Sequence, residues 1–258
     1  MTTNNQSALA LRALQEIEKE KQEQLAPGQT LFPGLADVLR QIGPIPPDAL
    51  LFGMASDGLP LLLNLRNANP GPLLVLADQG SGKTIFLQLL ARAAKLLSPQ
   101  RVRYAVLTNF PDEWDGFQSE RHCIGVYRPD DEITLDLLDE LASQAEAGPQ
   151  PTSVILLFDG LESALRMGTV TQENLRYLLA RGPQACIWPI VSLNAAYAPR
   201  FADWLSLFRM RVYGRIADPE LADELTPAPG AGLKTLFSGA QFCLRQKAHW
   251  LRFWLPSL

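Results

Sequence analysis

The stretch Ala77-Asp-Gln-Gly-Ser-Gly-Lys-Thr84 follows an apolar run, Leu73-Leu-Val-Leu76, and opens an amphipathic one. A strand that passes through a glycine-rich loop into a helix constrains the fold strongly. It sets backbone N–H groups and the positive end of a helix around one point, where concentrated negative charge can be held. Gly80 and Gly82 let the backbone come close enough. In the pattern G-x-x-x-x-G-K-[ST], the lysine reaches the β- and γ-phosphates as a point charge and the hydroxyl ligates Mg²⁺. Lys83 and Thr84 occupy those positions. Ala77 stands where the pattern has its first glycine, so the turn there must use an ordinary conformation. Ala77, Asp78, Gln79, Gly80, Ser81, Gly82, Lys83 and Thr84 are the candidate binding residues for ATP, with Mg²⁺ as its metal. The competing reading is a loop kept for its turn geometry alone.

Strand and helix signals alternate along the rest of the chain. Leu50 to Met54 and Pro60 to Leu65 read as a hairpin around Ser56-Asp57-Gly58. After the loop come a helix over 83–97, a strand over 102–107, edge material over 123–127 and a helix over 131–147. Val154-Ile-Leu-Leu-Phe158 is apolar without a break, as suits a strand buried on both faces of a parallel sheet. A helix over 171–181, strands over 187–193 and 209–216, and two antiparallel strands, 241–245 and 250–254, complete the pattern. The expected fold is α/β, a RecA-like P-loop NTPase with a mainly parallel sheet flanked by helices and antiparallel strands at the edges. Residues 1–47 read as a helical arm, with strong helix formers over 8–25, and a Pro-rich linker; 48–258 read as the ATPase domain.

A metal-dependent phosphoryl site also needs a carboxylate at a neighbouring strand end, and the apolar run ends in Asp159. Thr84 and Asp159 are thus the candidate metal ligands. The residue after Asp159 is Gly160, and Glu162 is the only carboxylate close by in sequence. Glu162 is a candidate to orient the attacking water, or else it simply opens a helix. Asn194 ends the run Ile190-Val-Ser-Leu193 and reads either as a γ-phosphate sensor or as a turn former. Arg209, Arg211 and Arg215 share one face if the whole segment is a strand. Arg211 is the candidate finger for a neighbouring subunit's phosphate, with surface pairing to Asp218 and Glu220 as the alternative. The candidate catalytic set is Lys83, Asp159, Glu162, Asn194 and Arg211.

Charge narrows the partners. Residues 200–258 carry eight Lys/Arg and five Asp/Glu, net +3, whereas residues 1–199 carry 15 and 22, net −7. Ten carboxylates crowd residues 111–140, a face that repels duplex DNA. No apolar run approaches the roughly 18 residues needed to span a bilayer, and the first residues are polar, so a soluble cytoplasmic protein without membrane insertion is expected. Cys123, Cys186 and Cys243 are widely spaced, which suggests reduced thiols.

These residues resemble the FtsK/SpoIIIE branch of the FtsK/HerA superfamily of P-loop ATPases, which includes DNA translocases, conjugation coupling proteins and type VII secretion modules. The most specific similarity runs from Leu51-Phe-Gly-Met-Ala-Ser-Asp-Gly-Leu-Pro60 through Asn64-Leu65 and Asn69-Pro-Gly-Pro72 to Thr84. Phe158-Asp159-Gly-Leu-Glu162, Ser192-Leu-Asn194, Arg211-Val-Tyr-Gly-Arg215, Gly230-Ala-Gly232 and Gln241-Phe-Cys-Leu-Arg245 match more loosely. Ala77, Gly160 and Thr108-Asn109 depart from the pattern. The resemblance implies an ATP-binding and ATP-hydrolysing motor that assembles into a homo-oligomeric ring. Its substrate would be a polymer, DNA by translocation or remodelling first and polypeptide by export next. The alternative is a catalytically weakened nucleotide-binding switch or assembly subunit.

Overall fold

An unbroken apolar run folds stably as a strand only where both its faces are covered, and β6 (Ser153–Asp159) is buried along its length until Asp159. The computed structural model describes residues 34–257. The helix expected over 8–25 lies outside the described residues.

Each remaining apolar run pairs into the same sheet. Its strands are β1 (Ala49–Ala55), β2 (Pro60–Asn64), β3 (Leu73–Ala77), β4 (Val102–Thr108), β5 (Cys123–Tyr127), β7 (Ile187–Asn194), β8 (Met210–Tyr213), β9 (Gln241–Gln246) and β10 (His249–Trp254). The 10-stranded order is β2-β1-β10-β9-β8-β3-β7-β6-β4-β5. From β8 to β5 every neighbouring pair is parallel, and the flank from β8 to β2 is antiparallel. The early hairpin β1–β2 therefore joins the terminal hairpin β9–β10, through Met54 opposite Trp254 and Ala55 opposite Phe253.

Helices cover both faces. Lys83–Ala94 packs Phe86, Leu87, Leu89 and Leu90 on one side, with Phe242 and Phe253. Glu132–Ala147 and Thr169–Arg181 bury Leu137, Leu138, Leu141, Leu175, Leu178 and Leu179 on the other. Fully burying each such side chain is worth about 1.5–3 kcal/mol, so the sheet is held between two apolar layers. The turn expected to extend the helix after the glycine loop to 97 tightens instead, with Lys95, Leu96 and Leu97 donating to carbonyls three residues back. The strand expected over 209–216 ends at Tyr213. Beyond it Gly214 lies against Ala77 and Phe242, too close for a side chain. No helix among the described residues is long and apolar enough to cross a membrane.

Candidate functional site

β3 lies between β7 and β8, so its carboxyl end opens in the middle of the sheet. Ala77 is the last residue of β3, in register with Asn194 of β7 and without left-handed backbone, so no glycine is needed there. Gly80 (φ 73) and Gly82 (φ 85) carry the left-handed turns. Gly82 precedes the helix with no side-chain cap, which leaves the first N–H groups of the helix directed into the loop. Neighbouring segments brace the loop from outside. Asp78 N donates to Arg215 O (3.0 Å), Ser81 Oγ to the same carbonyl (3.2 Å) and Ala217 N to Asp78 Oδ2 (2.7 Å).

Lys83 Nζ donates to Ala77 O (3.1 Å) and Asp78 O (2.8 Å), inside the curve of the loop. Burial holds its ammonium below the usual lysine range, and the carboxylates of Glu162, Asp159 and Asp78, in that order, pull it back up. The loop thus holds a cation whose desolvation is only partly compensated.

Asp159 is fixed at both oxygens. Thr84 Oγ1 donates to Oδ2 (2.7 Å) and Ser192 Oγ donates to Oδ1 (2.8 Å). Ser192 is fully buried on β7, the strand between β3 and β6, and accepts from Gly160 N (2.9 Å). A hydroxyl and a carboxylate in contact suit Mg²⁺, which takes one or two such oxygens and completes its shell with water and phosphate. No group of three or more His, Cys, Asp or Glu suited to a metal occurs among the described residues.

Gly160 has φ 99, a conformation glycine adopts without penalty, and the 3₁₀ turn Leu161–Arg166 follows it. This bend brings Glu162 back beside Gly160, 3.3 Å from where a Cβ would stand. Glu162 Oε1 accepts from Asn194 N (2.6 Å), which bridges the tips of β6 and β7. The Asn194 side chain accepts from Ala196 N (3.2 Å) and caps the turn after β7.

Lys83, Thr84, Asp159, Glu162 and Asn194 therefore converge at one end of the sheet. Arg211 does not join them. It is in register with Leu74, upstream of the loop, and its Nη2 donates to Leu205 O (2.7 Å). Arg209 donates to Ala68 O (3.2 Å), and both arginines line a cavity of about 1020 Å³ with Leu62, Met210 and Leu244. Arg215 lies past the strand and meets the loop through its carbonyl. Sequence reasoning names Ser192 only within the looser match Ser192-Leu-Asn194 and gives it no role; its other signal is a lone hydroxyl in a strand that is otherwise apolar up to Asn194.

A braced glycine loop, a lysine, and a hydroxyl–carboxylate pair at the carboxyl ends of parallel strands define a domain of the P-loop NTPase fold. Solved structures agree on the fold. The second and third ATPases of Thermomonospora curvata EccC, solved with a signal sequence peptide, match at a TM-score of 0.66 and 15% identity, over 90% of this chain and 44% of that one. The cytoplasmic domain of EssC gives 0.69 at 12% identity, over 95% of this chain and 52% of that one. The pCW3 conjugation coupling protein TcpA, solved as a monomer with ATPγS, gives 0.63 at 12% identity, over 87% of this chain and 69% of that one. These are ATPases of the FtsK/SpoIIIE type, and the resemblance read in the sequence holds at the level of the fold. The chain spans about half the length of the EssC domain and less of EccC. No protein-family profile and no curated protein matches the sequence.

Proposed function

We propose that the chain is an ATP-fuelled motor module of the FtsK/HerA kind, acting on a polymer as part of a homo-oligomeric ring. The observation that carries this reading is the 2.7 Å contact between Thr84 and Asp159 beside the lysine of the glycine loop. In the proposed cycle the loop N–H groups and Lys83 take the triphosphate, and the ammonium exchanges the carbonyls of Ala77 and Asp78 for phosphate oxygens. Thr84 and Asp159 would hold Mg²⁺, which when bound neutralises charge on the phosphates. Glu162 orients and deprotonates the attacking water, and Asn194 senses the γ-phosphate. Arg211, on the far side from its own loop, serves as a finger only towards another copy.

Among substrates, the conjugation coupling protein TcpA supports a DNA-directed role, and the EccC complex with a signal peptide supports a polypeptide. The net charge of −4 favours the polypeptide. A second reading, a nucleotide-binding switch without turnover, is favoured by Gly160 after Asp159 and by the engagement of Glu162 with Asn194 N.

Steady-state phosphate release separates the two readings. The motor requires Mg²⁺-dependent release above that of Lys83→Ala. Release no faster than that variant, with ATP still bound, would leave the switch.

A further inference from the structure

A triphosphate held over Gly80–Thr84 leaves its nucleoside at the mouth of the loop, and two exposed apolar residues sit on the segments that follow or touch the loop. One is Ile85, on the first helical turn directly after Thr84 and 43% exposed. The other is Phe237, 36% exposed, on the segment that leads into β9. That segment is fastened to the phosphate loop itself. Ser238 Oγ donates to Gly80 O (3.1 Å), Gly239 N donates to Ser81 O (3.2 Å), and a Cβ on Gly82 would stand 2.5 Å from Gly239 Cα. Phe237 is therefore placed by the loop that binds phosphate, only two residues from its closest contact.

Phe237 is also held through its backbone. Its backbone carbonyl accepts from Ala240 N (3.3 Å) and Gln241 N (2.9 Å), and its N–H donates to Gln241 Oε1 (3.3 Å). Behind it lies Trp254, at the end of β10, with ring centroids 5.4 Å apart and planes inclined at 38°. One side of the phenyl ring is thus packed and the rest opens to solvent. A rigid aromatic surface at the mouth of a phosphate loop suits a flat heteroaromatic ring, which gains from dispersion and from offset stacking.

Resting on the reading of the loop as a triphosphate site, we infer that Phe237, backed by Trp254, forms the stacking platform for the nucleobase, with Ile85 as a second apolar contact. The phosphate loop and the base subsite are then one unit. Gly239 and Ser238 couple them, and the base is bound by a segment more than 150 positions downstream of the loop.

The test compares ATP with inorganic tripolyphosphate, each with Mg²⁺, by calorimetry on the full chain. Losing one aromatic stacking partner weakens base binding about tenfold. Phe237→Ala should therefore lower ATP affinity by that order and leave tripolyphosphate affinity unchanged, while Phe237→Trp retains ATP binding. Ile85→Ser, at an exposed position, should show the same selectivity to a smaller degree and keeps the test open if Phe237→Ala does not fold. Equal weakening of both ligands, or ATP affinity indifferent to both variants, overturns the platform while the phosphate site stands. A wild-type chain that binds neither ligand removes site and platform together.

Discussion

Ser192 carries two hydrogen bonds with one hydroxyl, and both reach the strand that presents Asp159. Ser192→Ala leaves Gly160 N and Asp159 Oδ1, both half-buried, without these partners. An unsatisfied buried group costs about 1–3 kcal/mol, and half-burial puts the loss at the lower end, so the urea midpoint should fall modestly. The same substitution frees the carboxylate to rotate, and ATP binding should then need more Mg²⁺ to reach half-saturation. Equal Mg²⁺ requirements in variant and wild type would reduce Ser192 to a structural role. Residues of this kind are hard to read in sequence. Lys83 and Thr84 are legible because the loop places them at fixed positions, whereas Ser192 acquires its partner only when β7 inserts between β3 and β6. Glu162 is half legible: its charge is visible, but its return to the site depends on the left-handed turn at Gly160.

At the level of elements, the phosphate loop is a junction between segments distant in sequence. Gly80 and Gly82 share positive φ but differ in surroundings: nothing lies within 4 Å of a Cβ at Gly80, whereas one at Gly82 meets the backbone of Gly239. Left-handed backbone costs a non-glycine residue about 1–2 kcal/mol. Gly80→Ala should cost only that, and Gly82→Ala should cost distinctly more, because the backbone of Gly239 must also move. Equal losses in chemical denaturation would contradict the close approach of the two segments. The parallel half of the sheet is legible in its continuous apolar runs and the helices between them. The clamp of residues 215–217 and 238–239 on the loop is not, since single-sequence patterns carry no register between distant strands. The early end of β8 has the same origin: the three arginines look co-facial until Gly214 closes against Ala77 and Phe242, and Arg215 turns its carbonyl to the loop.

Across the whole molecule, the glycine loop follows the carboxyl end of β3, whereas Arg211 is in register with Leu74 near its amino end and lines a cavity shared with β2 and β9. In the proposed ring, a head-to-tail assembly would bring Arg211 of one copy to the loop of another, since heterologous contacts close into rings when the rotation permits. The central claim is simpler than assembly: a triphosphate sits over Gly80–Thr84 with its metal held by Thr84 and Asp159. It is tested most directly by titrating ATP into wild type and Asp159→Asn, with Mg²⁺ and with chelator. The account predicts that Mg²⁺ tightens ATP binding to wild type and has little effect on the variant. A folded wild-type chain that gives no binding at millimolar ATP, or a variant that responds to Mg²⁺ as wild type does, would contradict it.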